Sequence, residues 1–213
     1  MKKRIFIGIL TLLFGVQIAF SQSVTLPANE REEFNKLLTQ VASGTESLSA
    51  AFTQEKSIPM LKNKMISKGV FLYKREDKIA FLYREPADYQ MIINGNKLRV
   101  VSEGSDNTMD LKNNPVMEEV RGLISASFLG RLSARSNSYG VEFFSLPDKV
   151  IVAVTPVNRQ LLAIISKITI TFDSTSAEIE RLLIEEGSGG YTEYVFSNQK
   201  RNIVIKDEVF RVN

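Results

Sequence analysis

From Leu48 onward the chain is a succession of short segments in which apolar and polar residues alternate, each ending in turn-forming residues. A period of two puts the apolar side chains on one face of an extended strand, so the pattern points to a half-buried antiparallel sheet. Leu48, Ala50 and Phe52 alternate with Ser49, Ala51 and Thr53, and further strands are predicted at 65–73, 79–83, 90–94 and 97–101. Lys74-Arg75-Glu76-Asp77 and Asn94-Gly95-Asn96 punctuate these runs as hairpin turns. Later strands are expected at 141–144, 150–154, 164–172, 179–186, 191–198 and 209–212, with Gly187-Ser188-Gly189-Gly190 as a hairpin loop. About ten strands exceed what a flat open sheet ordinarily holds, so strong curling into an open or closed barrel is expected.

Two helical stretches interrupt the strands. Phe34, Leu37, Leu38 and Val41 recur at i, i+3, i+4 and i+7, behind an expected N-cap at Asn29 with Glu32 three residues on, and Gly44 is a natural stop. Asn114-Pro115 opens a second island through Val116, Val120, Leu123 and Ile124, with a further apolar turn at Phe128, Leu129 and Leu132. The island reads as two short helices or one kinked one. Both stretches have an apolar face. Either they plug the curled sheet as an ordinary core, or they cover a cavity for an apolar ligand. Periodicity alone leaves both open.

The first residues indicate export. Met1-Lys2-Lys3-Arg4 is a basic start, an apolar run reaches Phe20, and Ala19 and Ser21 are small residues at the positions a signal peptidase inspects. Residues 1–21 are therefore expected to be a cleaved signal peptide, with 22–213 a single domain. Gln22 stands where an exported lipoprotein would carry its lipid-accepting cysteine, so no lipid anchor is expected. Lys2, Lys3 and Arg4 hold all the charge of the first 21 residues. Without them the 27 basic groups fall to 24, equal to the 24 acidic ones, and the net charge of +3 falls to zero. Nucleic acid is not an expected partner.

The chain has neither His nor Cys. That excludes disulfides, Ser-His and Cys-His nucleophile systems, and the common zinc and copper sites. Ser197-Asn198-Gln199-Lys200 matches the S-x-x-K pattern of acyl enzymes, but it ends a predicted strand where that chemistry needs a helix start. The glycine-rich loop at 187–190 lacks the Lys-Ser/Thr of a P-loop. Glu118-Glu119, Glu178/Glu180 and Glu185-Glu186 read as solvated faces, and no Trp offers a sugar platform. No enzyme activity, metal or cofactor is expected.

Several motifs together resemble the LolA-type outer-membrane lipoprotein carriers. The likeness starts at Leu48-Ser49-Ala50-Ala51-Phe52-Thr53-Gln54, with the family's Phe-x-Gln core. It runs without a gap through Gly69-Val70-Phe71-Leu72-Tyr73-Lys74-Arg75, Ile79-Ala80-Phe81-Leu82-Tyr83, Glu85-Pro86 and Asn94-Gly95-Asn96-Lys97-Leu98. The island at 115–132 sits where the family has its lid helices, and the stretch from Phe196 to Phe210 resembles its closing strands.

The resemblance implies a strongly curved antiparallel sheet forming an incompletely closed β-barrel, covered by a lid of short helices over an apolar cavity. It implies a monomeric periplasmic chaperone that receives acylated lipoproteins from an inner-membrane ABC transporter and takes them to an outer-membrane acceptor or the outer membrane itself. Strand alternation and the family pattern together place Leu48, Phe52, Phe71, Ile79, Phe81, Tyr83, Met91, Ile93, Val120, Leu123, Ile124 and Phe128 around the acyl chains. Arg75 occupies the place of the arginine that, in the family, hydrogen-bonds the lid and holds the empty cavity shut. Glu76 stands where the family often has Pro, and Phe81 replaces a usual Trp. Glu76 or Asp77 is thus an expected competitor for Arg75. Two other readings belong to the same fold: a lipid-sensing regulatory module, and a carrier of another lipid or polyene product.

Overall fold

A computed structural model describes residues 23–113, 121, 122, 126 and 139–213. Strands β1 (Val24–Thr25), β2 (Ser47–Ser57), β3 (Met65–Lys74), β4 (Lys78–Glu85), β5 (Tyr89–Asn94), β6 (Lys97–Ser102) and β7 (Ser105–Asp110) precede the island. After it come β8 (Tyr139–Leu146), β9 (Lys149–Pro156), β10 (Ile165–Asp173), β11 (Ile179–Glu186) and β12 (Tyr191–Arg201). Helix α1 (Ala28–Ser43) precedes β2, and a single turn, α2 (Arg159–Leu162), joins β9 to β10.

The twelve strands form one sheet in the order β1-β8-β9-β10-β11-β12-β2-β3-β4-β5-β6-β7, with every paired neighbour antiparallel. The sheet is curved and does not close; β1 and β7 are its edges. Most pairings are hairpins. The β12–β2 pair instead joins two strands more than a hundred residues apart, and it seats Phe196 opposite Phe52.

The period-two pattern is visible within single strands. In β4, Ile79, Phe81 and Tyr83 join the large core, whereas Ala80 joins a small cluster with Ile92, Ile205, Phe210 and Val212. The inner face therefore carries the main core. The C-terminal tail lies across the outside of β3–β5 as a strap. Its ties are Asn202 to the Gly44 carbonyl, Lys74 to the Ile205 carbonyl, Asn94 to the Phe210 carbonyl and Arg99 to the Arg211 carbonyl. The strand expected at 209–212 is thus not one. Asp207–Phe210 is a short 3-10 turn, and the apolar residues that suggested a strand are anchors on the outer face.

Edge strands β1 and β7 were not predicted. β7 has the sequence SDNTMD and is exposed throughout, so hydrophobic alternation carries no trace of it. Its charges and short length suit a sheet edge. α1 ends at Gly44 as expected but starts at Ala28, behind a Pro27 cap that makes no side-chain bond. Its start is set by tertiary contact: Leu26 is buried and its N–H donates to the Phe143 carbonyl. Glu32, freed from a capping role, pairs instead with Lys36 at 2.8 Å.

Glycine is required at Gly69. A Cβ there would sit 2.2 Å from the Leu82 carbonyl oxygen and 2.8 Å from the tip of the Phe52 ring. The glycine lets the tip of that ring approach the backbone of the next strand.

Candidate functional site

The inner face is lined most densely where β12, β2, β3 and β4 run side by side. Phe52 meets Phe81, Tyr83 and Tyr194 edge-on at centroid distances of 5.7, 5.0 and 5.7 Å. Phe71 lies 5.0 Å from Phe81 and 5.7 Å from Phe196, and Tyr89 lies 4.7 Å from Tyr83. Rings packed edge-on or tilted at these separations make a continuous apolar wall from residues far apart in sequence.

One end of this wall is polar. The Gln54 side-chain amide donates to the hydroxyls of Tyr83 at 3.2 Å and Tyr194 at 2.8 Å, and the two hydroxyls are 3.1 Å apart. Burial pushes both phenols above their ordinary range, because the phenolate would lose its hydration. They stay neutral hydroxyls at any physiological pH. This gives a physical role to the Gln of Phe52-Thr53-Gln54: alternation turns it inward, where its amide adds a donor to the hydroxyls of two tyrosines that otherwise have only each other in an aromatic wall.

α1 lies over the inner face. Phe34 packs edge-on against Phe172 at 5.5 Å, and Leu38 is buried beside it. Between α1 and the sheet a void of about 30 Å³ remains, lined by Leu38, Val41, Leu48, Tyr73, Phe172 and Ile179 among others. Such a void has room for about one water molecule. Ala126, in the island, is helical and buried in the same core.

The C-terminal end of α1 is tied from two sides. Arg75 donates to the Ser43 carbonyl at 2.5 Å and pairs with Glu46 at 2.9 Å. Asn202 donates to the Gly44 carbonyl at 2.9 Å and accepts from the Glu46 N–H at 2.8 Å. The last carbonyls of a helix have no partner within it, and the negative end of its dipole favours a cation, so a guanidinium is well suited there. The expected competition does not arise. Glu76 pairs with Lys78 at 3.3 Å, and the partner of Arg75 is Glu46. Glu76 has φ +75, a conformation that Pro cannot adopt, which accounts for the departure from an Arg-Pro turn.

Of the residues expected around an acyl chain, Leu48, Phe52, Phe71, Ile79, Phe81, Tyr83 and Ile93 are buried in the inner-face core, and Met91 packs against it half-buried. Val120, Leu123, Ile124 and Phe128 lie outside the described residues. The expectation omitted Tyr73, Tyr194 and Phe196, which belong to the same wall. Alternation in 191–198 marks Tyr194 and Phe196 as facing one side, but only the β12–β2 pairing brings them beside Phe52.

The other motifs lie apart from this wall, and Glu118-Glu119 lies outside the described residues. Ser197 and Lys200 flank a bulge in β12 and are exposed. Glu178, Glu180 and Glu186 each lie within 4.0 Å of a basic group. Among the described residues no group of three or more acidic, His or Cys side chains could hold a metal ion.

The model of one family, the outer membrane lipoprotein carrier protein LolA, matches residues 43–213. The chain belongs to the LolA family. It thus falls among binding and carrier proteins. No curated protein sequence matches it. Among solved structures, the MucA/MucB complex of Pseudomonas aeruginosa is similar with a TM-score of 0.51 and 13% identity, covering 87% of this chain and 62% of that one. A LolA-superfamily protein of Nitrosomonas europaea is similar at 0.45 and 13%, over 88% of this chain and 98% of that one. The lipoprotein LppX of Mycobacterium tuberculosis is similar at 0.44 and 11%, over 84% and 100%. At 13% identity, the likeness to the MucA/MucB complex shows a shared fold alone.

Proposed function

We propose that the chain is a periplasmic chaperone that binds lipoprotein acyl chains between its aromatic inner face and its helices, and carries them from the inner to the outer membrane. The observation that carries this reading is the continuous wall of Phe52, Phe71, Phe81, Tyr83, Tyr194 and Phe196 on the inner face of the sheet, in a member of a lipoprotein-carrier family. Residues 1–21 are the cleaved leader in this reading, and 22–213 the working domain. An inner-membrane ABC transporter supplies the cargo, and an outer-membrane acceptor or the membrane itself receives it.

The energetics suit such a task. Burying a methylene contributes ~0.8 kcal/mol, so an acyl chain of roughly 16 carbons represents on the order of 13 kcal/mol of gross transfer energy. Such a cargo leaves only for another apolar site, and a carrier must therefore offset part of that energy to let it go. The closed arrangement supplies the offset. The void beneath α1 is far smaller than an acyl chain, so uptake at that place requires α1 to move. Cargo departure lets Arg75 and Asn202 re-engage the helix end. Arg75 is then a latch, acting on α1 as well as on any contact with the island.

The test is to recover the protein from its native cells and identify co-purified molecules by mass spectrometry. Acylated lipoproteins support the proposal. A free lipid or polyene would assign a different cargo, and an empty protein held by a membrane partner would make it a regulatory module.

A further inference from the structure

The hairpin between β2 and β3 has no place in the inner-face site, yet it is the most apolar exposed part of the described chain. Met60 is 93% exposed, Leu61 53%, Met65 52% and Ile66 47%. Register pairing of β2 with β3 stops at Lys56 and Met65, and β12 reaches only to Ser57. Residues 58–64 therefore extend past the end of the sheet. The segment 57–68 contains Lys62, Lys64 and Lys68 and no acidic residue, although acid and base are balanced over the predicted mature chain. Glu55 pairs with Lys64, Glu85 with Lys68 and Glu186 with Lys56, all from strand positions set back behind the tip. Lys62 stands exposed beside Met60 and Leu61.

Soluble proteins rarely expose adjacent large apolar side chains without a partner for them. Apolar residues beside an exposed lysine such as Lys62 are suited to the boundary between acyl chains and anionic headgroups, where methionine and leucine enter the membrane and the ammonium group stays at the phosphates. We propose that the β2–β3 tip is a docking element for a bilayer surface bearing anionic phospholipid. The tip continues the end of β2 that carries Gln54, so docking brings the polar end of the aromatic wall to the membrane. The purpose of the contact rests on the carrier reading; its existence does not.

The experiment is flotation of the protein, expressed with its own leader and recovered after export, with vesicles of phosphatidylethanolamine and phosphatidylglycerol. Wild type should float. Met60→Ser with Leu61→Ser should lower partitioning by at least about tenfold, and Lys62→Glu by about fivefold or more, since each lysine near an anionic surface adds roughly that factor. All three residues are exposed, so unchanged thermal melting verifies the fold, and Met60→Ser alone is the milder variant. A wild type that stays in solution, or a double variant that floats as well as wild type, overturns the proposal. So does flotation with native membranes but not with protein-free lipid, which would make the tip a protein contact. Uptake of a fluorescent fatty acid by the same samples is read separately. Its failure would sink the carrier reading and leave the flotation result standing.

Discussion

Arg75→Leu removes one hydrogen bond to the Ser43 carbonyl and one ion pair with Glu46, both at the end of α1. A hydrogen bond from a charged donor contributes about 1.5–3 kcal/mol when shielded. The Arg75 side chain is 48% exposed, so water competes for it, and an exposed ion pair adds only ~0–1 kcal/mol. A loss of about 1–2 kcal/mol is the reasoned figure, a factor of roughly 5–30 in an equilibrium constant. If the closed form predominates and only the open form accepts an acyl chain, apparent affinity scales with the open fraction. The variant should therefore bind a fluorescent fatty acid roughly 5–30-fold more tightly. It should pass it to acceptor vesicles more slowly, because closing of the latch no longer compensates for cargo departure. Arg75→Lys keeps the charge without the planar fork and should fall between. Titration gives the affinity and stopped-flow transfer the hand-over rate. Wild-type values for both in Arg75→Leu, with only a lowered melting temperature, would refute the latch.

Gly69→Ala forces a Cβ against the Leu82 carbonyl and the Phe52 ring, and should lower stability by about 1–3 kcal/mol, read as a shift of the urea midpoint. An unchanged midpoint would mean the strands separate freely there. Phe210→Ala empties a fully buried position beneath the strap and should cost about 3 kcal/mol or less, less if the tail detaches. Because Phe210 is on the outer face, acyl binding by the folded variant should match wild type, and its loss would contradict the two-faced description of the sheet. Asp173 accepts foremost from the Ser176 N–H, and also from the hydroxyl and N–H of Thr175 and the Ser176 hydroxyl, which holds its carboxyl well below the usual range. A depressed folded-state value contributes stability that is present above the unfolded value of ~3.9 and is lost as pH falls towards the folded one. Urea midpoints of Asp173→Asn should therefore fall less steeply than wild type below about pH 4; parallel acid limbs would remove Asp173 from the account.

Much of this molecule follows from its local pattern. Alternation located the strands from β2 to β6 and from β8 to β12, because each has a face that must be buried whatever it is buried against. Gly44 ended α1 because a helix stop is a local event. Leu48, Phe52, Phe71, Ile79, Phe81, Tyr83 and Ile93 were recognisable as one face for the same reason. β7 was not, since an exposed edge strand has no hydrophobic signature, and Val209 to Val212 misled because apolar residues at alternate positions serve a strap as well as a strand. What only the tertiary structure decided were the encounters between distant segments. The β12–β2 pairing brought Tyr194 and Phe196 to Phe52 and closed the Gln54 cluster. Leu26 moved the start of α1, and Arg75 found Glu46 and Ser43 in place of its neighbours Glu76 and Asp77. Short-range pattern determines which face of each element is apolar. Which faces meet is set by sheet order and curvature, and these come from packing the whole chain at once.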